Sequence, residues 1–170
     1  MDEQLKFLLI IAERLDGASI PYMVTGSLAL AVYATPRMTR DIELVVEIGG
    51  GDVATVVGLF QPDCYVEAET VRRAVETQGM FNIIHTDWII KADFVVKKSE
   101  AYRVTEFERR RAIEIEGKPV VFVAPEDLIL SKLCWSRESA SELQERDVSD
   151  LLDAVKDLDL DYPDRGARTE

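Results

Sequence analysis

Asp41 and Glu43 stand two residues apart in an apolar run, Asp41 to Ile48, that reads as a strand. Alternation puts both acids on one face, while Ile42 and Leu44 point to the other and can enter a core. A strand this apolar belongs near the centre of a sheet. Two carboxylates there cost desolvation unless positive charge meets them. A pair of divalent cations would supply that charge; an ordinary solvent-exposed strand face is the plainer account. Asp93 is a third acid of the same kind, alone in Ile89-Ile90-Lys91-Ala92-Asp93-Phe94-Val95-Val96. If that strand neighbours the first, three carboxylates converge into a hard, oxygen-rich site suited to Mg²⁺, with Mn²⁺ as the alternative.

Gly26-Ser27 lies upstream of these acids, between a short apolar strand and a helix. Glycine lets a backbone come close to a ligand, and a helix N-terminus offers free N–H groups and partial positive charge. That combination is a seat for phosphate, with the serine hydroxyl as an added donor or as a simple helix cap. A phosphate seat followed by paired metal-binding acids suggests a nucleoside triphosphate held through Mg²⁺. The matching chemistry is in-line attack at the α-phosphate, with one metal on the attacking hydroxyl and one on the pyrophosphate.

The elements that must position these residues follow from periodicity and punctuation. Residues 3–15 carry Leu5, Leu8, Leu9, Ala12 and Leu15 at helical spacing. A strand over 21–25 leads through Gly26-Ser27 into a helix from Leu28 to Ala34, which Pro36 ends. Gly49-Gly50-Gly51 is a turn; it lacks the Lys-Ser/Thr of a P-loop and the spacing of a dinucleotide fingerprint. Asp52 is placed to cap a helix running to Phe60, and residues 69–77 form another. Phe81–His85 and Ile89–Lys97 read as a hairpin, as do Ala112–Ile115 and Pro119–Val123 around Glu116-Gly117-Lys118. Thr105–Arg111 reads as helical. Pro125-Glu126-Asp127 opens a helix to about Trp135, and a last one spans Leu143 to Lys156. The expected architecture is a single α+β domain, a mixed sheet with flanking helices over a core of about 5–123, helices over about 124–156, and a polar, fraying tail over 157–170.

Composition narrows the function. The 170 residues are 47% hydrophobic, with no run near the ~20 apolar residues of a membrane span. Met1-Asp2-Glu3-Gln4-Leu5-Lys6 has no basic start leading into an apolar block, so a cytoplasmic protein without a membrane partner is expected. The net charge of −12 argues against bulk binding of polyanions, though not against a local basic patch. Cys64 and Cys134 match no zinc spacing and read as buried free thiols. The single histidine, His85, has no evident nucleophilic triad and reads as structural. Arg109-Arg110-Arg111 reads as a solvated helix end or, alternatively, a phosphate contact.

Val24-Thr25-Gly26-Ser27, followed by Thr39-Arg40-Asp41-Ile42-Glu43-Leu44, resembles the signature of the nucleotidyltransferase superfamily. Met80–His85, Lys91-Ala92-Asp93, Ala124–Leu133 and Arg146–Leu152 also resemble the small bacterial AbiEii-like group, so the likeness spans residues 5–155. The resemblance implies a polymerase-β-like nucleotidyltransferase fold and transfer of a nucleoside monophosphate from an NTP such as ATP to a hydroxyl on tRNA, protein or a small molecule. It implies Asp41, Glu43 and Asp93 as catalytic metal ligands. Gly26, Ser27, Arg40 and Lys132 are implied at the nucleotide. A Lys-x4-Arg pair contacts nucleotide in toxin relatives, which here falls on Lys132 and Arg137. Asp147 or Asp150 stands where relatives carry a base; surface pairing with Arg146 or Lys156 is the plainer account. A toxin–antitoxin setting with a cognate antitoxin rests on resemblance alone. Glu43 stands where aspartate is commoner, and full-length toxin relatives carry a larger helical domain for the acceptor. A non-catalytic nucleotide- or partner-binding protein of the same fold is therefore the alternative.

Overall fold

The computed structural model describes residues 2–34, 41–139, 142–155 and 158, with the backbone alone for 135–139 and 143–144. The elements are α1 (Glu3–Gly17), β1 (Tyr22–Thr25), α2 (Gly26–Tyr33), β2 (Ile42–Val46), α3 (Val53–Phe60), β3 (Cys64–Tyr65), α4 (Ala68–Thr77), β4 (Met80–His85), β5 (Ile90–Val96), α5 (Ala101–Glu108), β6 (Arg111–Ile115), β7 (Lys118–Phe122), α6 (Pro125–Ser139) and α7 (Glu142–Ala154). The strands form one mixed sheet of seven in the order β3-β4-β5-β2-β1-β7-β6. The expected α+β class is what the chain adopts.

The two acid-bearing strands lie side by side at the centre. β2 and β5 run parallel with Glu43 opposite Asp93, and β1 runs antiparallel to β2 with Thr25 opposite Glu43. The reason is the other face of the same strands. Ile42, Leu44 and Val46 of β2 and Ala92, Phe94 and Val96 of β5 are all buried in the core. A slip of one residue would expose all six and bury the acids, so the register is strongly specified.

Helices α1 and α3 supply the partners of that apolar face. Asp2 caps α1 by accepting the Leu5 N–H at 2.7 Å, and the helix buries Phe7, Leu8, Leu9, Ile11, Ala12 and Leu15. Phe94 stacks on Phe81 at 5.1 Å between centroids and meets Phe60 of α3 edge-on at 5.7 Å. Arg14 of α1 grips Asp63 with two hydrogen bonds, of 2.7 and 2.6 Å, tying α1 to the turn before β3. That guanidinium holds the Asp63 carboxyl down at about 2.

The structure departs from expectation in several places. The helix placed at Thr105–Arg111 is α5, which starts earlier and stops at Glu108, so Arg111 opens β6 instead. Asp52 precedes α3 as expected, but its carboxylate accepts the Gly49 N–H at 2.7 Å and closes the short 3-10 turn Gly50–Asp52. The two-residue β3 carries no periodicity to read. Cys64 is buried, whereas Cys134 is exposed. Leu158, in the tail expected to fray, packs against the core. Pro36 lies outside the described residues, as do Lys156 and the remainder of the tail. Among the described residues no helix is long and apolar enough to cross a membrane.

Phe94→Ala should be the most damaging single truncation of this core, because the ring touches both the sheet and α3. A loss of roughly 3–5 kcal/mol is expected, read as a lowered urea midpoint at unchanged slope.

Candidate active site

A cleft of about 540 Å³ opens on the sheet face opposite the aromatic core. Its floor is set by two rows across the strands. One row is Thr25, Glu43 and Asp93, with Asn82 beyond; the next is Met23, Val45, Val95 and Met80. Gly26 and Ser27 close one side, and Leu128, Ser131 and Lys132 of α6 form a wall. Arg103, Glu106 and Phe107 of α5, with Lys97 and Lys98, line the cleft as well. The structure thus brings Gly26, Ser27, Glu43, Asp93 and Lys132 into one cavity. Asp41 stands just before β2, linked to the group through Lys91. Arg40 lies outside the described residues.

Gly26 is fixed by two constraints at once. Its φ of +69° is a conformation that L side chains rarely adopt, and a Cβ there would sit 1.7 Å from Glu43 Oε2. The Glu43 side chain therefore fills the space that a side chain at the start of α2 would need. Alternation along β2 delivers the carboxylate there; the bare backbone of Gly26 accepts it.

The acids crowd one another. Burial, and then the neighbouring Asp93, push the Glu43 carboxyl above its ordinary range, with Asp41 adding to the effect and Lys132 and Lys91 opposing it. Burial likewise raises Asp93, opposed first by Lys91 and reinforced by Asp41. Lys91 Nζ lies 3.6 Å from Asp41 Oδ2 and 3.6 Å from Asp93 Oδ1. Asp93 Oδ1 is buried and accepts no hydrogen bond. Lys132, itself buried, pairs with Asp147 Oδ2 at 3.0 Å across α6 and α7. Asp147 is thus an interior partner of Lys132 rather than a surface partner of Arg146, which is exposed. Asp150 is half-buried on the same helix.

A divalent cation fits this donor chemistry. Three carboxylates supply hard oxygen, two are pushed toward neutrality by burial and repulsion, and one buried oxygen lacks a hydrogen bond. As the side chains stand, no three His, Cys, Asp or Glu among the described residues are gathered closely enough to hold one ion. Glu43 is turned onto Gly26 and Lys91 lies between the other two.

Elsewhere the functional readings resolve into structure. Asp63, Cys64 and His85 come together, with Cys64 Sγ 3.4 Å and His85 Nε2 3.8 Å from the Asp63 carboxylate. Burial and the adjacent Asp63 push the Cys64 thiol up to about 12, so it is no nucleophile at neutral pH. His85 is buried, stacked on Trp88 at 4.1 Å and edge-on to Phe7, in keeping with a structural role. The three arginines split. Arg109 caps α5, Arg110 donates to the Phe107 carbonyl at 2.7 Å, and Arg111 pairs with buried Glu126 at 3.3 Å. Lys91 was missed as a site residue, although period-two alternation places it beside Asp93. The α5 wall was missed because its residues meet the acids only through the tertiary fold.

No protein-family model matches the chain, and neither does any curated protein. Solved structures do resemble it in fold. An antigenic nucleotidyltransferase-like protein from Paracoccidioides brasiliensis superposes with a TM-score of 0.58 at 17% identity, over 86% of this chain and 72% of that one. ANT(2'')-Ia in complex with adenylyl-2''-tobramycin gives 0.62 at 16% identity, over 99% and 97%. The lincosamide antibiotic adenylyltransferase LnuA, lincomycin-bound, gives 0.58 at 11% identity, over 91% and 98%. The chain has the nucleotidyltransferase fold.

Two outcomes follow from this geometry. A carboxyl raised in the folded state favours folding below the ordinary carboxylate range, and that advantage is lost as pH rises through the raised value. Glu43→Gln should therefore raise Tm at pH 7 by roughly 2–4 °C, the shift that about 1 kcal/mol makes in a chain of this size. In calorimetric scans the gain should shrink toward pH 4. Gly26→Ala should do the opposite, costing roughly 1–3 kcal/mol of stability through its strained φ and the clash with Glu43, read as a lowered urea midpoint.

Proposed function

We propose that the chain is a Mg²⁺-dependent nucleotidyltransferase that moves a nucleoside monophosphate from an NTP to a hydroxyl acceptor. One observation carries this reading. The pairing of β1, β2 and β5 sets Glu43 between Asp93 and the strand that ends at Gly26-Ser27, so a phosphate seat adjoins paired acids. Asp41, Glu43 and Asp93 would hold the cation, which when bound neutralises charge on the transferring phosphoryl group. Gly26 and Ser27 cradle the phosphates at the N-terminus of α2, and Lys132 adds a positive charge from α6. The acceptor oxygen attacks the α-phosphorus, the bond to the bridging oxygen of pyrophosphate breaks, and the acceptor proton passes to Asp93. A carboxyl already raised by burial suits that role as base.

The acceptor lies opposite the leaving group in an in-line displacement. With pyrophosphate at Gly26-Ser27, that side is the arm of the cleft lined by Met80, Val95, Arg103, Glu106 and Phe107. A cavity of about 540 Å³ suits a small molecule. Among structures of similar fold, one is lincomycin-bound and another is in complex with adenylyl-2''-tobramycin. A small hydroxyl compound is thus the acceptor this cleft favours, and the net charge of −12 weighs further against tRNA. The AbiEii-like assignment and an antitoxin partner rest on sequence resemblance. The alternative, a non-catalytic nucleotide binder, has one observation in its favour: Glu43 is folded onto Gly26 rather than gathered with the other acids.

Transfer of label from α-³²P NTPs to a panel of small hydroxyl compounds, tRNA and protein separates the two. Wild-type protein should label an acceptor, and Asp93→Asn should lower the rate roughly 10²–10⁴-fold while the protein still melts in one cooperative transition. Nucleotide binding without transfer to any acceptor would favour the non-catalytic reading.

A further inference from the structure

The side chain best placed to regulate the acid cluster is Lys91. It shares a strand face with Asp93, two residues on, and sits one position from Ala92, which pairs with Ile42. Asp41 directly precedes Ile42, so Lys91 and Asp41 oppose one another across the end of the β2–β5 pairing. The Lys91 ammonium consequently falls between two carboxylates, 3.6 Å from each. Beyond ordinary hydrogen-bond length, the contacts are attractions of charge rather than fixed bonds. The Lys91 side chain is 40% exposed, and its four-carbon stem gives it freedom to swing outward.

We propose that Lys91 is a resident counter-ion that competes with the divalent cation at the acid cluster. The inference rests on the nucleotidyltransferase reading of the acids. Without a cation, Asp41, Glu43 and Asp93 repel one another, and Lys91 offsets part of that repulsion. Asp93 Oδ1, the buried oxygen that accepts no hydrogen bond, has the Lys91 ammonium as its nearest positive charge. A cation gathering the same oxygens meets that ammonium first and must displace it. Lys91 therefore stabilises the metal-free site and weakens cation binding, so the cation is held more loosely until a triphosphate adds its own oxygens to the ligand set.

The test is Mn²⁺ binding without nucleotide or turnover, followed by loss of the free-ion electron paramagnetic resonance signal. Lys91→Met keeps the stem and removes the charge; Lys91→Arg keeps the charge. Lys91→Met should bind Mn²⁺ on the order of tenfold tighter than wild type, the effect of about 1.4 kcal/mol. It should melt lower in metal-free buffer and gain more in Tm on adding Mn²⁺. Lys91→Arg should behave as wild type. A purely structural lysine would lower the melting temperature without tightening the ion. If wild type binds Mn²⁺ and Lys91→Met binds it no tighter, the inference is overturned and the transferase reading stands. If neither takes up Mn²⁺, the transferase reading fails and the inference with it. Should Lys91→Met not fold, Lys91→Gln carries the same comparison.

Discussion

Glu43 and Asp93 face each other across two parallel strands in the middle of the sheet, and like charges brought that close in a half-buried setting repel. Much else around the cleft answers that repulsion. Ile42, Leu44, Phe94 and Val96 hold the strands in register from the opposite face, so the acids cannot escape by slipping. Lys91 and Lys132 approach from two sides with positive charge. Gly26 surrenders its side chain so that the Glu43 carboxylate has a place to lie. An apolar core is thus spent on keeping unfavourable charges together, the usual sign of a site shaped for something other than stability.

The helices after the sheet belong to this arrangement rather than trailing from it. Lys132 reaches the cleft from α6, and Asp147 of α7 holds it by a buried ion pair. Removing either partner would strand the other charge in the interior, so the pair couples the packing of the two helices to the electrostatics at Glu43. Their contact with α2, whose first turn bears Gly26 and Ser27, completes a closed circuit from the seat through the C-terminal helices and back to the acids.

Residues whose role depends on local periodicity were legible before the fold was known. Asp41, Glu43 and Asp93 could be assigned to one strand face each, and Gly26-Ser27 to a strand-to-helix junction, from spacing alone. The apolar periods also gave the β4–β5 and β6–β7 hairpins. What spacing could not give was adjacency. Nothing local to β2 or β5 dictates that they pair in parallel across an intervening α3, β3, α4 and β4; long-range packing of Phe60, Phe81 and Phe94 does. Asp147 looked like a surface acid because its helix is polar by composition, and its burial depends on where Lys132 arrives. The α5 wall escaped notice for a related reason: Phe107 looks unremarkable between charged neighbours, yet Lys97 and Arg110 both lie over its ring in the fold.

The chain as a whole is strongly acidic, whereas the cleft sets basic groups among its acids, and the difference bears on selectivity. A net charge of −12 repels polyanions at long range, whereas Lys91, Lys97, Lys98, Arg103 and Lys132 sit in or beside one cavity. Screening confines the local field to within about a Debye length, ~8 Å at physiological salt. A nucleotide small enough to enter the cavity feels those cations directly, while an extended nucleic acid also meets the acidic exterior. Within the proposed reaction, the same contrast admits the triphosphate donor and places the burden of acceptor choice on the apolar arm formed by Met80, Val95 and Phe107. Shape and burial, rather than charge, would then decide which hydroxyl is presented to Asp93.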